Sequence, residues 1–141
     1  MVIAVDFDGT IVEHAYPKIG KEIPFAIETL KQLMKDGHML ILYTVREGEL
    51  LDEAVQYCKN RGVEFYAVNA SNPDEARNYV STRKVNADLF IDDHNLGGVP
   101  DWGVVYQMIK SGNPYQPLAN YDEDPYANMR KKKGLLGRLF G

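Results

Sequence analysis

Val2-Ile3-Ala4-Val5-Asp6-Phe7-Asp8-Gly9-Thr10 is the stretch on which the reading of this chain turns. Four apolar residues run without a polar break, three of them β-branched, which is the pattern of a strand buried on both faces. The run stops at two carboxylates placed two residues apart, and Gly9 lets the chain turn sharply behind them. In open α/β sheets ligands bind at the carboxyl ends of the strands, so Asp6 and Asp8 stand where chemistry is expected. Residues two apart in an ideal strand share a face, and close like charges are costly without a cation or a shared proton. The pattern points to a metal-assisted carboxylate site.

Outward from this stretch, strand and helix patterns alternate over the first 110 or so residues. Ile11 to Glu22, with Pro17 and Gly20, has no sustained period and reads as a loop or small hairpin over the strand end. Pro24 suits the first turn of a helix whose apolar face is Ile23, Ala26, Ile27, Leu30, Leu33 and Met34, ended by Gly37. Met39 to Tyr43 is a second buried strand, with Thr44-Val45-Arg46 at its end. Leu50, Leu51, Ala54, Val55 and Cys58 mark a second helix closed by Gly62, and Phe65 to Val68 a third strand. Asn72-Pro73-Asp74-Glu75 has the cap, proline and acids of a short helix start. Asp88 to Ile91 is a fourth strand ending in Asp92-Asp93, and Asp101 caps a last helix with Trp102, Val105, Tyr106 and Ile109 inward. Such alternation predicts βαβ units, right-handed crossovers and a doubly wound, Rossmann-like parallel sheet.

At 141 residues the chain fits a single core, and a net charge of −4 supplies no general drive toward nucleic acid. The lone Cys58 excludes an intrachain disulfide, suits a reducing compartment and falls in an apolar helical pattern, so it reads as a core thiol. Met1 leads directly into the first strand without a basic region or cleavage site, and no apolar stretch is long enough to span a bilayer. A cytoplasmic protein is expected. From Ser111 onward the texture changes: Gly112 to Asn128 is rich in Pro, Asn, Tyr and acids, and residues 129–141 are basic and then apolar. The expected division is a core over 1–111 and an irregular arm and tail over 112–141. The tail reads as a solvated terminus, with weak contact to an anionic membrane or a partner groove as the alternative.

Three strand ends present polar groups to one edge: Asp6 and Asp8, then Thr44 and Arg46, then Asp92 and Asp93. Arg83 and Lys84 precede the fourth strand and reach toward the same edge. This set is complete for phosphoryl transfer. A carboxylate can attack phosphorus, Mg²⁺ takes hard oxygen ligands, and a hydroxyl, backbone N–H groups and a lysine can neutralise the equatorial oxygens.

In order along the chain, Asp6-Phe-Asp-Gly-Thr, Thr44, Lys84 and Asp92-Asp93 resemble the four motifs of the haloacid dehalogenase-like superfamily, in particular its small, capless phosphohydrolases of the Bacteroides type. The resemblance covers about residues 1–110. It implies that Asp6 is the nucleophile and a metal ligand, and that Asp8 protonates the leaving oxygen and binds Mg²⁺ through its backbone carbonyl. It further implies that Thr44 holds the phosphoryl group, Lys84 bridges nucleophile and phosphate, Asp92 ligates Mg²⁺, and Asp93 ligates through water or orients its neighbours. Arg46 lies outside the four motifs; it contacts the substrate leaving group or pairs with Glu47 or Glu49. His14 and His94 read as loop residues or outer neighbours of the site, since the carboxylates favour Mg²⁺. The spans around the first three strands leave no room for a separate cap domain.

The expected function is therefore Mg²⁺-dependent hydrolysis of a small phosphate ester, with an oligomer possible at the open mouth. The alternatives are a phosphate-signalling module or an inactive scaffold. A receiver-like module needs a phospho-accepting Asp after the third strand, where this chain has Val68-Asn69.

Overall fold

In the computed structural model, which describes residues 1–75 and 84–115, the apolar runs form four parallel strands. They are β1 (Val2–Val5), β2 (Met39–Leu42), β3 (Ala67–Val68) and β4 (Leu89–Ile91), in the spatial order β3-β2-β1-β4. Three helices follow β1, β2 and β4 respectively: α1 (Ala26–Lys35), α2 (Gly48–Asn60) and α3 (Trp102–Lys110). The strand order reverses beside β1, so the loops after β1 and β4 flank a topological switch point. This is the α/β architecture that the alternating pattern predicts.

Register sets the level at which the strands end. Val5 lies opposite Leu42 on one side and Ile91 on the other. The ladder continues one step further, with Asp6 N–H donating to Ile91 O at 3.0 Å and Tyr43 N–H donating to Val5 O at 2.9 Å. Asp6, Tyr43 and Asp92 therefore leave the sheet side by side.

The pleat divides the core into two faces. Ile3, Val5, Leu40 and Leu42 are buried with Leu30 and Leu33 of α1, Ala54 and Cys58 of α2, and Trp102, Val105 and Ile109 of α3. Ala4 and Ile41 point the other way and are buried with Ala67, Ala70 and Val85. Burial pushes the Cys58 thiol up to about 12, so it stays protonated as a core group. No described helix is long and apolar enough to cross a membrane.

Several boundaries differ from the sequence pattern for identifiable reasons. α1 starts at Ala26 rather than Pro24, because Ile23 donates its N–H to Ile11 O at 2.9 Å and so belongs to the hairpin before the helix. Phe25 then takes a left-handed turn (φ 64°), and Glu22 Oε1 accepts from Ile27 N–H at 3.2 Å at the helix start. β2 stops at Leu42, β3 has two residues rather than four, and α2 begins at Gly48, two residues before its apolar pattern. Asn72 Oδ1 accepts from the N–H groups of Asp74 and Glu75, as a helix cap does. The short helix expected beyond it, Arg83, and residues 116–141 of the arm and tail lie outside the described residues.

Between β1 and α1 the chain makes the expected hairpin, with rungs Glu13 N–H to Lys21 O (2.8 Å) and Ile23 N–H to Ile11 O. No cap domain is evident among the described residues. Asp101 caps α3 by accepting from Gly103 N–H at 2.9 Å. The Trp102 indole N–H donates to Thr10 O at 3.0 Å, which ties α3 to the turn after β1. Tyr115 extends the attachment, its hydroxyl donating to Asp88 O.

Trp102 is 1% exposed, so Trp102→Phe leaves the Thr10 carbonyl buried without its donor. The expected loss is about 1–3 kcal/mol in urea unfolding, and an unchanged midpoint would show that the bond contributes nothing.

Candidate active site at the sheet edge

The strand ends bring Asp6 together with Asp93, not with Asp8. β1 is over at Val5, Phe7 turns fully into the core, and the carboxylates on either side of it find different partners. Asp6, half-buried, comes within hydrogen-bonding reach of the Asp93 carboxyl, with Asp92 adding a further negative charge nearby. Burial first, then the Asp93 contact, push the Asp6 carboxyl up to about 7. Asp93 moves the other way: burial opposes its charge, but hydrogen bonds from Asp6 and His14 outweigh it and hold its pKa down. The two carboxyls thus titrate apart, Asp6 upward and Asp93 downward.

Asp93 is fixed from several directions. Its N–H donates to Thr10 Oγ1 at 3.1 Å, and Thr10 is itself 1% exposed. Its Oδ2 lies 2.8 Å from His14 Nε2. Its Oδ1 is buried and has no hydrogen-bond donor among the described residues. A buried carboxylate oxygen without a donor, close to a second carboxyl group, is what a hard divalent cation would satisfy. Asp92 uses Oδ1 to accept from His94 N–H at 2.9 Å, and the ligating atoms of Asp92, Asp93 and His94 all lie within 4.8 Å of one another.

Gly9 makes this packing possible. It has φ +83°, and a Cβ there would stand 2.2 Å from His14 Nε2 and 2.4 Å from Asp93 Oδ2. The imidazole and the carboxylate meet in the space that a side chain would fill.

Asp8 belongs to a second charge pair. Both of its oxygens accept from Arg46, Oδ2 from Nε and Oδ1 from Nη2, each at 2.7 Å. The remaining guanidinium protons go to main-chain carbonyls: Nη2 to Lys18 (2.9 Å), and Nη1 to Pro17 (3.2 Å) and, at a longer 3.5 Å, to Leu50. The guanidinium carbon lies over the rings of Phe7 and Tyr16, 5.1 and 5.2 Å from their centroids. Arg46 is 0% exposed, yet its cover is thin, because Tyr16, Pro17 and Lys18 are themselves exposed. The Asp8 hydrogen bonds raise the Arg46 pKa further against burial, so the guanidinium is permanently charged. It pairs with neither Glu47 nor Glu49, and in this arrangement it is closed to a ligand.

Thr44 lies at the end of β2 with its N–H donating to Asn69 Oδ1 (2.8 Å) and its Oγ1 accepting from Arg46 N–H (3.2 Å). Asn69 holds a left-handed conformation (φ 49°) just past β3. Lys84 is exposed and places Nζ 4.9 Å from the Phe90 ring centroid rather than on a carboxylate. The sequence reading gives Trp102 only as an inward helix residue and assigns Thr10 and Asn69 no role at the site. Only Thr10 carried a signal there, as part of the Asp6–Thr10 motif.

With this geometry in place, the chain can be set beside known proteins. A conserved protein from Bacteroides thetaiotaomicron is 60% identical to it, and the match covers 83% of this chain and 98% of that one, with a TM-score of 0.74. A D,D-heptose 1,7-bisphosphate phosphatase from B. bronchiseptica, complexed with magnesium and phosphate, aligns over 48% of this chain and 47% of its own at 14% identity and a TM-score of 0.38. Neither a family model nor a curated protein matches.

Removing the guanidinium tests the second charge pair. Arg46→Met removes the donors that Asp8 and the Pro17 and Lys18 carbonyls share, and the expected cost is about 3–5 kcal/mol in chemical unfolding. A loss under about 1 kcal/mol, the value of a surface pair, would show that the fork is not held in solution.

Proposed function

We propose that this chain, which belongs to the same family as the conserved Bacteroides thetaiotaomicron protein, is a Mg²⁺-dependent phosphohydrolase that cleaves a phosphate monoester. The proposal places it among the capless members of the haloacid dehalogenase-like superfamily, with residues 1–111 as the catalytic unit. One observation carries the reading: Asp6 and Asp93 meet across the switch point, and Asp93 Oδ1 is buried there without a donor. The order of the Asp6-Phe-Asp-Gly-Thr, Thr44, Lys84 and Asp92-Asp93 motifs supports it independently.

In this mechanism an Asp6 oxygen attacks phosphorus, the ester P–O bond breaks, and an aspartyl-phosphate forms as the alcohol leaves with a proton. Water then attacks the phosphorus of that intermediate, releasing inorganic phosphate and restoring Asp6. Asp6 and Asp93, with Asp92 and the Asp8 backbone carbonyl, would hold Mg²⁺, which would supply positive charge to offset the carboxylates and the phosphoryl oxygens. Thr44 Oγ1 already accepts from Arg46 N–H, so its own proton is free to be donated to a phosphoryl oxygen. Lys84 reaches the phosphate by leaving the face of Phe90. Asp8 must first be released by Arg46 at one oxygen at least, because both face N–H groups, and take up a proton there; it then gives that proton to the leaving oxygen and recovers one from the attacking water. Proton delivery is thereby linked to movement of the Tyr16–Lys18 hairpin tip, which the same guanidinium holds.

A panel of phosphorylated metabolites, assayed with Mg²⁺ and with excess chelator, tests the activity. Asp6→Asn is expected to fold and to lose turnover to background, since an amide is a poor nucleophile and carries no charge for the cation. Wild-type-like turnover in the folded variant would remove Asp6 from its role.

The pH dependence of stability offers a check that needs no substrate. A carboxyl raised from 3.8 to about 7 in the folded state contributes stability below pH 4 and loses it as pH rises through about 7. In chelator the protein is therefore expected to melt at a lower temperature at pH 8 than at pH 5. Asp6→Asn should recover a few degrees at pH 8, and Mg²⁺ should stabilise the wild type more at pH 8 than at pH 5. Equal Mg²⁺ shifts at the two pH values would contradict a carboxylate pair at the cation site.

A further inference from the structure

We propose that His14 is a positioning residue for Asp93, fixing the rotation of its carboxylate by occupying Oδ2, so that the buried Oδ1 is left to a cation held with Asp6. The inference rests on the metal-dependent reading above and adds to it a residue from the hairpin.

Three observations converge on this contact. Asp93 is anchored at its backbone, where its N–H donates to Thr10 Oγ1, but that bond leaves the carboxylate free to turn. The turn is stopped at Oδ2, where His14 Nε2 stands at 2.8 Å; because a carboxylate only accepts, the imidazole donates from Nε2. His94 cannot replace it, since its Nε2 is 3.9 Å from the same oxygen and its side chain is 84% exposed. Finally, the contact lies directly over Gly9, in space that a Cβ would occupy from 2.2 Å away, so the backbone at the turn is shaped around the two groups. His14 thus comes from outside the strand-end motifs, yet it determines which carboxylate oxygen is turned inward. Hydrogen bonds of this kind behind a ligating group are worth 10–100-fold in metal affinity.

The test is Mg²⁺ titration of the full chain by calorimetry, with wild type, His14→Ala and His14→Gln. The His14 side chain is 62% exposed, so His14→Ala is expected to melt within a degree or two of wild type in chelator, which separates positioning from folding. His14→Ala is expected to bind Mg²⁺ about 10–100-fold more weakly, and the Mg²⁺ concentration for half-maximal turnover should rise in parallel while kcat at saturating Mg²⁺ is largely kept. Glutamine carries an N–H donor near the position of Nε2, so His14→Gln should return the affinity to within about threefold of wild type. Equal affinity in wild type and His14→Ala would overturn the proposal. Failure of glutamine to restore binding would also overturn it, by making the imidazole itself the ligand. Absence of Mg²⁺ binding by the wild type would instead overturn the metal-dependent function on which the proposal stands.

Discussion

The parallel register of β1 with β4 is the constraint on which the candidate site depends. Val5 opposite Ile91, with Asp6 N–H continuing the ladder to Ile91 O, places the ends of two strands at one level on either side of a switch point. Once that register is set, the acids that follow cannot avoid each other. Asp6 and Asp93 come within hydrogen-bonding reach, and the repulsion between them must be met by a proton or by a cation. The register is fixed by burial, because a slip of one residue would exchange Ile3 and Val5 with Ala4 between a face packed on three helices and one packed on Ile41, Ala67, Ala70 and Val85. Apolar packing thus holds two carboxylates in an arrangement they would not adopt alone.

The second carboxylate of the motif is handled by the opposite strategy. Asp8 meets a full positive charge whose five N–H groups all have acceptors, so it is neutralised inside the protein and asks nothing of a cation. The two acids lie two residues apart, one electrostatically unsatisfied and one satisfied. The difference comes from Phe7, which is wholly buried between them and divides the chain's direction at that point. The Arg46 fork also reaches the carbonyls of Pro17 and Lys18, so the hairpin over the site and the Asp8 carboxylate are held by one group. Among the described residues, which show no cap domain, this hairpin reaches the site through His14.

Much of this edge is legible in the sequence, and the parts that are not have physical reasons. The apolar runs ending at Val5, Leu42 and Ile91 announce buried strands, because burial on both faces demands a continuous run, and the acids after them follow directly. Pairing is different. Periodicity places Asp6 and Asp8 on one face, but that holds only while the strand continues, and it stops at Val5. The partner of Arg46 lies 38 residues away, whereas Glu47 and Glu49 are adjacent in sequence, so only the fold can choose Asp8. Ile23 fits the spacing of α1 equally well, and its place is settled by a backbone bond to Ile11 that no side-chain pattern records. Thr10 acts through its main-chain carbonyl as well as its hydroxyl, which makes its bond to Trp102 invisible to residue type.

The same logic explains why the site is costly and why that cost is useful. A half-buried carboxyl raised to about 7 is a standing destabilisation of the folded chain at neutral pH. The fold tolerates it because Ile3, Val5, Leu40 and Leu42 are packed against three helices. Whatever binds between Asp6 and Asp93 and removes the repulsion recovers that free energy as affinity. A preorganised pair has a further advantage over a flexible one. Thr10, His14 and the turn at Gly9 hold Asp93 before any ligand arrives, so little ordering entropy is left to oppose binding. The strain stored in the pair and the rigidity that maintains it are two consequences of one packing arrangement, and a substitution that relieves the first without disturbing the second should separate stability from function.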